Sequence, residues 1–402
     1  MAAAGAEYDL IVVGGGLAGS ALAKAMAETG ARVLVLEREL AFRDRVRGEG
    51  MHGWGVAEAR ELGLYDVLLQ TCAHEVRYWA RSRGGGEPAA RRDLIESTDH
   101  HAGELTFYHP EMQSAVLDLA AAAGADVQRG AAVVAVRPGD PPAVTIRSVG
   151  QDRAVSARLV VGADGRRSQV RRWAGFPVVQ DPERLRITGV LLTGVEVDAD
   201  TVHTFSPATF GQMTLLFPLP AGRLRAYFIS ARRAEHRRIG GATELPWFIR
   251  YCVECGTPAD WFGPAQLAGP LATFEGADMW VDHPYRDGVV LVGDAAGASD
   301  PSWGCGLSLT LRDVRTLRDS LRGNADWAAA ADEYAAARDG YFQTLHTLEH
   351  WMTEVLYGLG SDADRIRAHA LPQLAQGLGP DLTGNGPVFP TDEAARIQFL
   401  GE

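Results

Sequence analysis

The chain has 402 residues, a formal charge of -12 and 46% hydrophobic residues. That length holds two or three lobes, or one large α/β unit with an inserted region, and the acidic balance offers no basic field for nucleic acid. No apolar run reaches the roughly 20 residues of a membrane span, and Ala2–Ala6 leads straight into a strand pattern instead of a signal peptide, so the expected setting is cytoplasmic.

Tyr8–Val13 is a buried-strand pattern that runs into Gly14-Gly-Gly-Leu17-Ala18-Gly19, a helical stretch to Gly30, and a second apolar run ending on Glu37. This is a Rossmann-like βαβ unit with an acid at the offset that grips a ribose 2′-hydroxyl. Gly14 permits the turn, Gly16 lets the backbone approach a pyrophosphate, and Gly19 permits close helix–strand packing. A carboxylate at Glu37 repels a 2′-phosphate, which leaves NAD and FAD open at this point. Lys24, the only lysine of the chain, falls in the first helix and is expected at its surface. Chemistry that needs a buried lysine, such as a pyridoxal Schiff base, therefore has almost no place in this chain.

Arg38–Gly50 reads as an extended loop, Val56–Leu69 as a helix, Val76–Arg83 as a strand and Gly84–Arg92 as a turn. Pro110–Ala123 has helical spacing. Short strands are expected over 126–136 and 143–149. Arg158–Gly165 repeats the strand-to-acid theme at Asp164, where Ser168 can cap the next helix. From 187 to 230 the pattern turns β-rich, in segments 187–197, 209–217 and 223–230, as in an antiparallel sheet walling a pocket. Leu245–Cys255 is expected to be helical. Cys252 and Cys255 form a lone C-x-x-C that reads as packed, reduced cysteine, and no metal site is expected. Asp287–Asp294 is another strand ending on glycine and acid, followed by a turn-rich segment and a helix from about Leu307 to Leu321. Residues 326–377 are mainly helical and lead into a Gly/Pro-rich tail. A parallel sheet would bring Glu37, Asp164 and Asp294 to one crevice; the alternative is that Asp164 and Asp294 only cap neighbouring helices.

Three blocks in this order and spacing resemble the FAD-dependent aromatic hydroxylase family, flavoprotein monooxygenases of the p-hydroxybenzoate hydroxylase type. They are Gly14–Gly19 with Glu37, Gly162-Ala-Asp164-Gly165 through Arg171, and Gly293-Asp294-Ala-Ala-Gly297 continuing through Pro301 and Gly304 to Gly306. The resemblance implies an α/β, Rossmann-like FAD-binding fold formed by 1–72, 106–185 and 273–325. An inserted mixed or antiparallel sheet over 73–105 and 186–272 would bind substrate, and 326–402 would form a C-terminal helical segment. Gly14, Gly16, Leu17, Ala18, Gly19, Glu37 and Arg38 would hold the ADP part of FAD, Asp164 would lie near the pyrophosphate and Asp294 would meet the ribitol. The Pro301–Leu307 loop, with Gly304, Gly306 and Leu307, would pass the flavin ring. Arg47 and Gln113 match cofactor-contacting positions. The chain departs from the hydroxylase pattern at Gly297, Ser308, Thr310 and His109. Gly297 is seen in related reductases.

The implied activity is hydroxylation or epoxidation of an aromatic or polycyclic small molecule through a flavin C4a-hydroperoxide, with NADPH or NADH as transient reductant and dioxygen as co-substrate. On the β-rich segment, His203 and Tyr227 are candidate bases and Arg225 a candidate anion anchor; Arg225 and Tyr227 share one strand face. The competing view is that all three are ordinary sheet or surface residues. His346 and His350 sit at i,i+4 with no third ligand in view. Arg232-Arg233 and Arg237-Arg238 form a solvated face or meet an acidic carrier protein. A monomer or homodimer is expected. Alternative functions are a C=C reductase of the geranylgeranyl reductase type and a non-catalytic flavin-bound interaction protein. Halogenation is disfavoured because the lysine that directs it has no counterpart.

Overall fold

Residues 6–46, 48–85, 90–148, 151–234 and 236–401 are described by a computed structural model of the chain. Strand Tyr8–Val13 lies parallel between Val33–Glu37 and Gln151–Gly162, with Val13 opposite both Leu36 and Gly162. Gly162 also pairs with Leu291 of the parallel strand Val289–Leu291. The carboxyl ends of these strands therefore align, and the acids that follow them converge on one edge of the sheet. Alternation along the first strand sends Leu10 and Val12 to one face and Ile11 and Val13 to the other. The first face packs on helices Leu17–Ala27, His109–Ala122 and Gly306–Gly323. The second packs on the hairpin Ala132–Arg137 and Ala143–Ser148 and on Val170.

Among the described residues, eight strands form this sheet and seven form a second one. The second runs in the order Gln266–Gly276, Leu185–Thr193, Arg223–Ala231, Gln212–Leu219, Thr201–Ser206, Tyr78–Arg83, Ala90–Asp93. It is antiparallel except where Thr201–Ser206 meets Tyr78–Arg83. One face buries Val190, Phe205, Ala226 and Phe228 beneath helix Leu245–Glu254. The other carries Ile187, Leu215, Phe217 and Ile229.

Three of its strands depart from expectation. Thr201–Ser206 falls between the β-rich segments. Ala90–Asp93, within a segment read as a turn, is a charged edge strand, and such edges carry no apolar alternation. Gln266–Gly276 is the other edge; it accommodates Gly269 and Pro270, and the pairing register slips between Val190 and Leu192. The helix expected over 56–69 is two helices, Gly53–Glu61 and Tyr65–Thr71, separated at Gly63, whose φ is +62°.

The C-terminal part folds as helices Trp327–Tyr357, Ser361–Ala375 and Glu393–Leu400. The tail between the last two is anchored: the buried Trp54 indole donates to the Leu382 carbonyl at 3.0 Å, and Arg92 grips Asp381 at 2.7 and 3.1 Å. No helix among the described residues is long and apolar enough to cross a membrane. Lys24 is buried, contrary to expectation: its Nζ reaches Glu28 at 2.8 Å and the Leu62 carbonyl at 3.1 Å, tying two helices together.

Candidate active site

The three glycines of the first turn have different surroundings. A Cβ on Gly14, whose φ is +108°, would lie 2.4 Å from the Ala163 carbonyl oxygen, and one on Gly19 would lie 1.9 Å from the Gly14 carbonyl oxygen. Both are packing requirements. A Cβ on Gly16 meets only Gln113 Nε2, at 3.4 Å, so this glycine borders open space. Helix Leu17–Ala27 starts there with no side-chain cap, leaving first-turn amides for an anion. Glu37 is fixed at the same edge: its two carboxylate oxygens accept the Gly15 amide at 2.8 Å and the Glu39 amide at 2.7 Å. Each oxygen keeps further acceptor capacity for a ribose hydroxyl.

At the far end, Asp294 sits on the turn that follows Val289–Leu291. The turn is pinned from behind by Asp313, which accepts the Gly293 amide at 2.9 Å and the Tyr341 hydroxyl at 2.6 Å and pairs with Arg338 at 3.3 Å. Both charges of that pair are wholly buried; burial pushes the Asp313 carboxyl up, and the Arg338 guanidinium opposes the shift. Ser168 caps the following helix as expected, its Oγ accepting the Arg171 amide at 2.9 Å, and Asp164 shares the role, accepting the Gln169 and Val170 amides at 2.6 and 3.2 Å and the Ser168 hydroxyl while still lining the cavity. Pro301–Trp303 form one tight turn, capped by Asp300 through the Ser302 amide at 2.9 Å. Gly304 closes it at φ +70°, where a Cβ would stand 2.9 Å from His52 Nε2. Helix Gly306–Gly323 then begins on the cavity wall with no side-chain cap.

One continuous cavity of about 2190 Å³ joins these parts. Gly14, Gly16, Leu17, Ala18, Glu37, Arg38, Gln113, Asp164, Asp294, Pro301, Gly304, Gly306 and Leu307 all line it. Gly19 and Gly293 shape it from behind. Beyond the Pro301–Leu307 turn the cavity opens against the second sheet, with Trp79, Leu215, Phe217 and Tyr227 on one side and Met352, Leu356 and Leu374 on the other.

The sheet candidates part company here. Tyr227 lines the cavity, and its hydroxyl donates to Glu49. Burial and the Glu49 charge hold its pKa well above the usual phenol value. Arg225 is wholly buried outside the lining, with Nη2 at 2.9 Å from Asp44 and from Glu49. The two share a strand face, but Asp44 and Glu49 close over its Arg225 end, so Arg225 holds these two acids and is not presented to a ligand. His203 is also off the cavity: it is buried on the opposite sheet face with its ring 4.9 Å from Trp261, and burial lowers its pKa. Arg47 lies outside the described residues.

His346 pairs with Asp181 at 2.9 Å and His350 with Glu354 at 3.2 Å; Asp181, Asp278 and His346 bring ligand-type atoms within 4.8 Å of one another. Cys252 and Cys255 are free and buried, and burial pushes the Cys255 thiol up to about 12. Arg232, Arg237 and Arg238 each pair with a glutamate of the chain.

Sequence reasoning missed His52. Its Nε2 meets the Trp303 carbonyl at 2.7 Å and its Nδ1 meets Glu104 at 2.8 Å. A lone histidine beside a glycine carries no motif, so nothing in the sequence marks it. Also missed were Asp44 and Glu49, which bond partners about 180 residues away.

The cavity fits an extended dinucleotide. One uncapped helix start and an open glycine face suit the diphosphate, and Glu37 suits the adenosine ribose. The uncapped start of helix Gly306–Gly323 suits a ring that carries negative charge when reduced. A family model described as an FAD binding domain matches residues 7–343. The rifampicin monooxygenase of Streptomyces venezuelae is 29% identical over 385 residues, covering 93% of this chain and 75% of the relative. Digeranylgeranylglycerophospholipid reductase 2 of Methanothermobacter thermautotrophicus is 28% identical over 311 residues, covering 75% and 74%. In fold, the crystal structure of the p-nitrophenol 4-monooxygenase PnpA of Pseudomonas putida matches with a TM-score of 0.77 at 21% identity, over 93% of this chain and 94% of that one. FAD is the cofactor that the cavity and the family share, and the chain belongs to the FAD-dependent aromatic hydroxylase and monooxygenase family.

Proposed function

We propose that the protein uses NADPH or NADH and dioxygen to hydroxylate or epoxidise an aromatic or polycyclic small molecule. The observation that carries this reading is the continuity of the cavity: the cleft that fits FAD opens, past the Pro301–Leu307 turn, into a chamber walled by Trp79, Phe217 and the C-terminal helices. FAD, when bound, supplies reduction by the nicotinamide coenzyme and activation of dioxygen for transfer of one oxygen atom. The chain supplies the setting. The uncapped start of helix Gly306–Gly323 offers amides to negative charge, and Trp79, Leu215, Phe217 and Leu356 give the chamber an apolar surface against which a ring can pack. His52 and Asp300 hold the Pro301 turn from its two sides, while Tyr227 and Glu49 fix the chamber floor.

The likeness to an archaeal prenyl-lipid reductase favours a second reading, saturation of a C=C bond, for which Leu356, Leu371 and Leu374 would wall a prenyl chain. The two are separated by supplying NADPH or NADH and oxygen-18 gas with a panel of phenols, indoles, polyketide aromatics and prenyl lipids. One labelled oxygen in the product supports monooxygenation; a gain of two hydrogens without label supports reduction.

A further inference from the structure

Three carboxyl groups collect behind the Pro301–Trp303 turn. Asp278 and Asp300 are each 7% exposed, and Glu349 is 1% exposed. The first two are linked: Asp278 accepts the Asp300 amide at 3.0 Å, and Asp300 caps the turn through the Ser302 amide. Glu349 is different. Neither of its carboxylate oxygens has a hydrogen-bond partner among the described residues. The charges that act on it most are those of Asp278 and Asp300, both of its own sign, and the neighbouring Cys305 thiol is directed at the Trp303 carbonyl, 3.6 Å away. A buried carboxylate in such company is costly until a proton or a cation joins it.

Glu349 lines a small cavity together with Asp278 and Asp181, and a set of metal-ligand donors stands beside it. Among the described residues, Asp181, Asp278 and His346 are the one group of three whose ligand-type atoms all lie within 4.8 Å of one another. Asp181 follows strand Val179–Gln180, Asp278 precedes its antiparallel partner Met279–Trp280, and His346 belongs to helix Trp327–Tyr357. The Asp181 amide donates to the Asp278 carbonyl at 3.0 Å, which fixes the two acids side by side. His346 and Glu349 are three residues apart on the helix and so share a face. The two histidines of that helix part here. His346 Nε2 meets Asp181 at 2.9 Å, whereas His350 meets Arg184 and Glu354 at 2.7 and 3.2 Å. Arg184, the cation that lines the small cavity, is thereby directed at His350.

We propose that Asp181, Asp278 and His346 bind one divalent transition-metal ion, with Glu349 as the adjoining negative charge, and that the ion clamps the C-terminal helix to the turn beside the flavin cleft. One imidazole among carboxylates suits zinc, and next manganese, better than magnesium, which takes oxygen ligands and keeps its waters. The proton between His346 Nε2 and Asp181 leaves when the metal takes the nitrogen. The side chains of Asp181 and His346 are 27% and 19% exposed, so the ion has a way in from solvent. Asp278 passes the constraint on through the Asp300 amide to the Pro301 turn. The role is structural and holds for whichever reaction the flavin supports.

The test is metal uptake by the flavin-loaded protein after dialysis against a chelator. Zinc, manganese and magnesium chlorides are titrated separately, bound metal is counted by plasma mass spectrometry, and melting temperature and retained flavin are read in parallel. The expected result is one zinc ion per chain, bound more tightly than manganese and far more tightly than magnesium, with a melting temperature that rises as zinc is added. Asp181→Asn and His346→Gln should each weaken zinc roughly 10- to 100-fold or more, and Glu349→Gln, beside the ligands, roughly 10- to 100-fold. His350→Gln and Cys252→Ser should leave zinc affinity within about twofold. No stoichiometric uptake by wild type, uptake unchanged in both Asp181→Asn and His346→Gln, or an equal loss in His350→Gln or Cys252→Ser overturns the proposal. If the ligand variants do not fold, X-ray absorption of the zinc-loaded wild type decides. One imidazole among oxygen ligands supports the site, and sulfur ligation or several imidazoles overturns it.

Discussion

His52 Nε2 lies 2.7 Å from the carbonyl oxygen of Trp303, 251 residues away in the chain, and joins the turn after Pro301 to the sheet that carries Glu104. A carbonyl only accepts, so Nε2 carries a proton, and Nδ1 faces a carboxylate at 2.8 Å. The Glu104 charge raises the pKa of His52 even though burial pulls the other way and is the largest single influence. A raised histidine contributes stability that is fully present below its unfolded value of about 6.5 and is lost as pH climbs through the folded value. Flavin retention and melting temperature are therefore expected to fall on the alkaline side. His52→Gln, which keeps a donor for the Trp303 carbonyl but cannot titrate, should flatten that slope. Parallel pH profiles of flavin release for the two proteins check this; identical slopes would count against it.

Gly16 and Gly19 separate cofactor binding from packing. Gly16→Val puts its bulk into open cavity, so the protein should fold with unchanged far-UV circular dichroism and lose most bound flavin. Gly19→Ala drives its Cβ to 1.9 Å from the Gly14 carbonyl oxygen, where overpacking costs about 1–3 kcal/mol or more. Flavin stoichiometry and urea denaturation read the two effects independently.

Arg225 is expected to matter for stability. Arg225→Met strands Asp44 and Glu49 beside each other in a site where both are buried or nearly so, and removing one partner of a buried pair costs about 3–5 kcal/mol. Tyr227→Phe removes one hydrogen bond to a charged group and should cost about 1.5–3 kcal/mol. Urea midpoints at unchanged slope measure both. A larger loss from Tyr227→Phe than from Arg225→Met would reverse the assigned roles.

The cofactor half of the molecule was legible because its requirements are local. Gly14, Gly19 and Glu37 act within one βαβ unit, and each strand-to-acid junction at Asp164 and Asp294 is written in a few consecutive residues. The chamber was not legible in the same way. Arg225 and Tyr227 were placed on one strand face correctly, yet whether that face met a ligand or a loop depended on Asp44 and Glu49, about 180 residues away. His203 alternates with Thr204 on its strand, so its side follows from a register fixed only by pairing with Tyr78–Arg83. His52 and the tail around Asp381 gain their meaning from contacts made across 250 to 330 residues, and composition carries no trace of such contacts.

The most direct test of the central claim is oxygen-18 labelling. Flavin-loaded protein, NADPH or NADH and oxygen-18 gas are incubated with the aromatic panel, and products are weighed by mass spectrometry. The expected result is a product carrying one labelled oxygen atom, formed only when flavin, nicotinamide and substrate are all present. A product heavier by two hydrogens and free of label, or nicotinamide oxidation that no panel member stimulates, would contradict it.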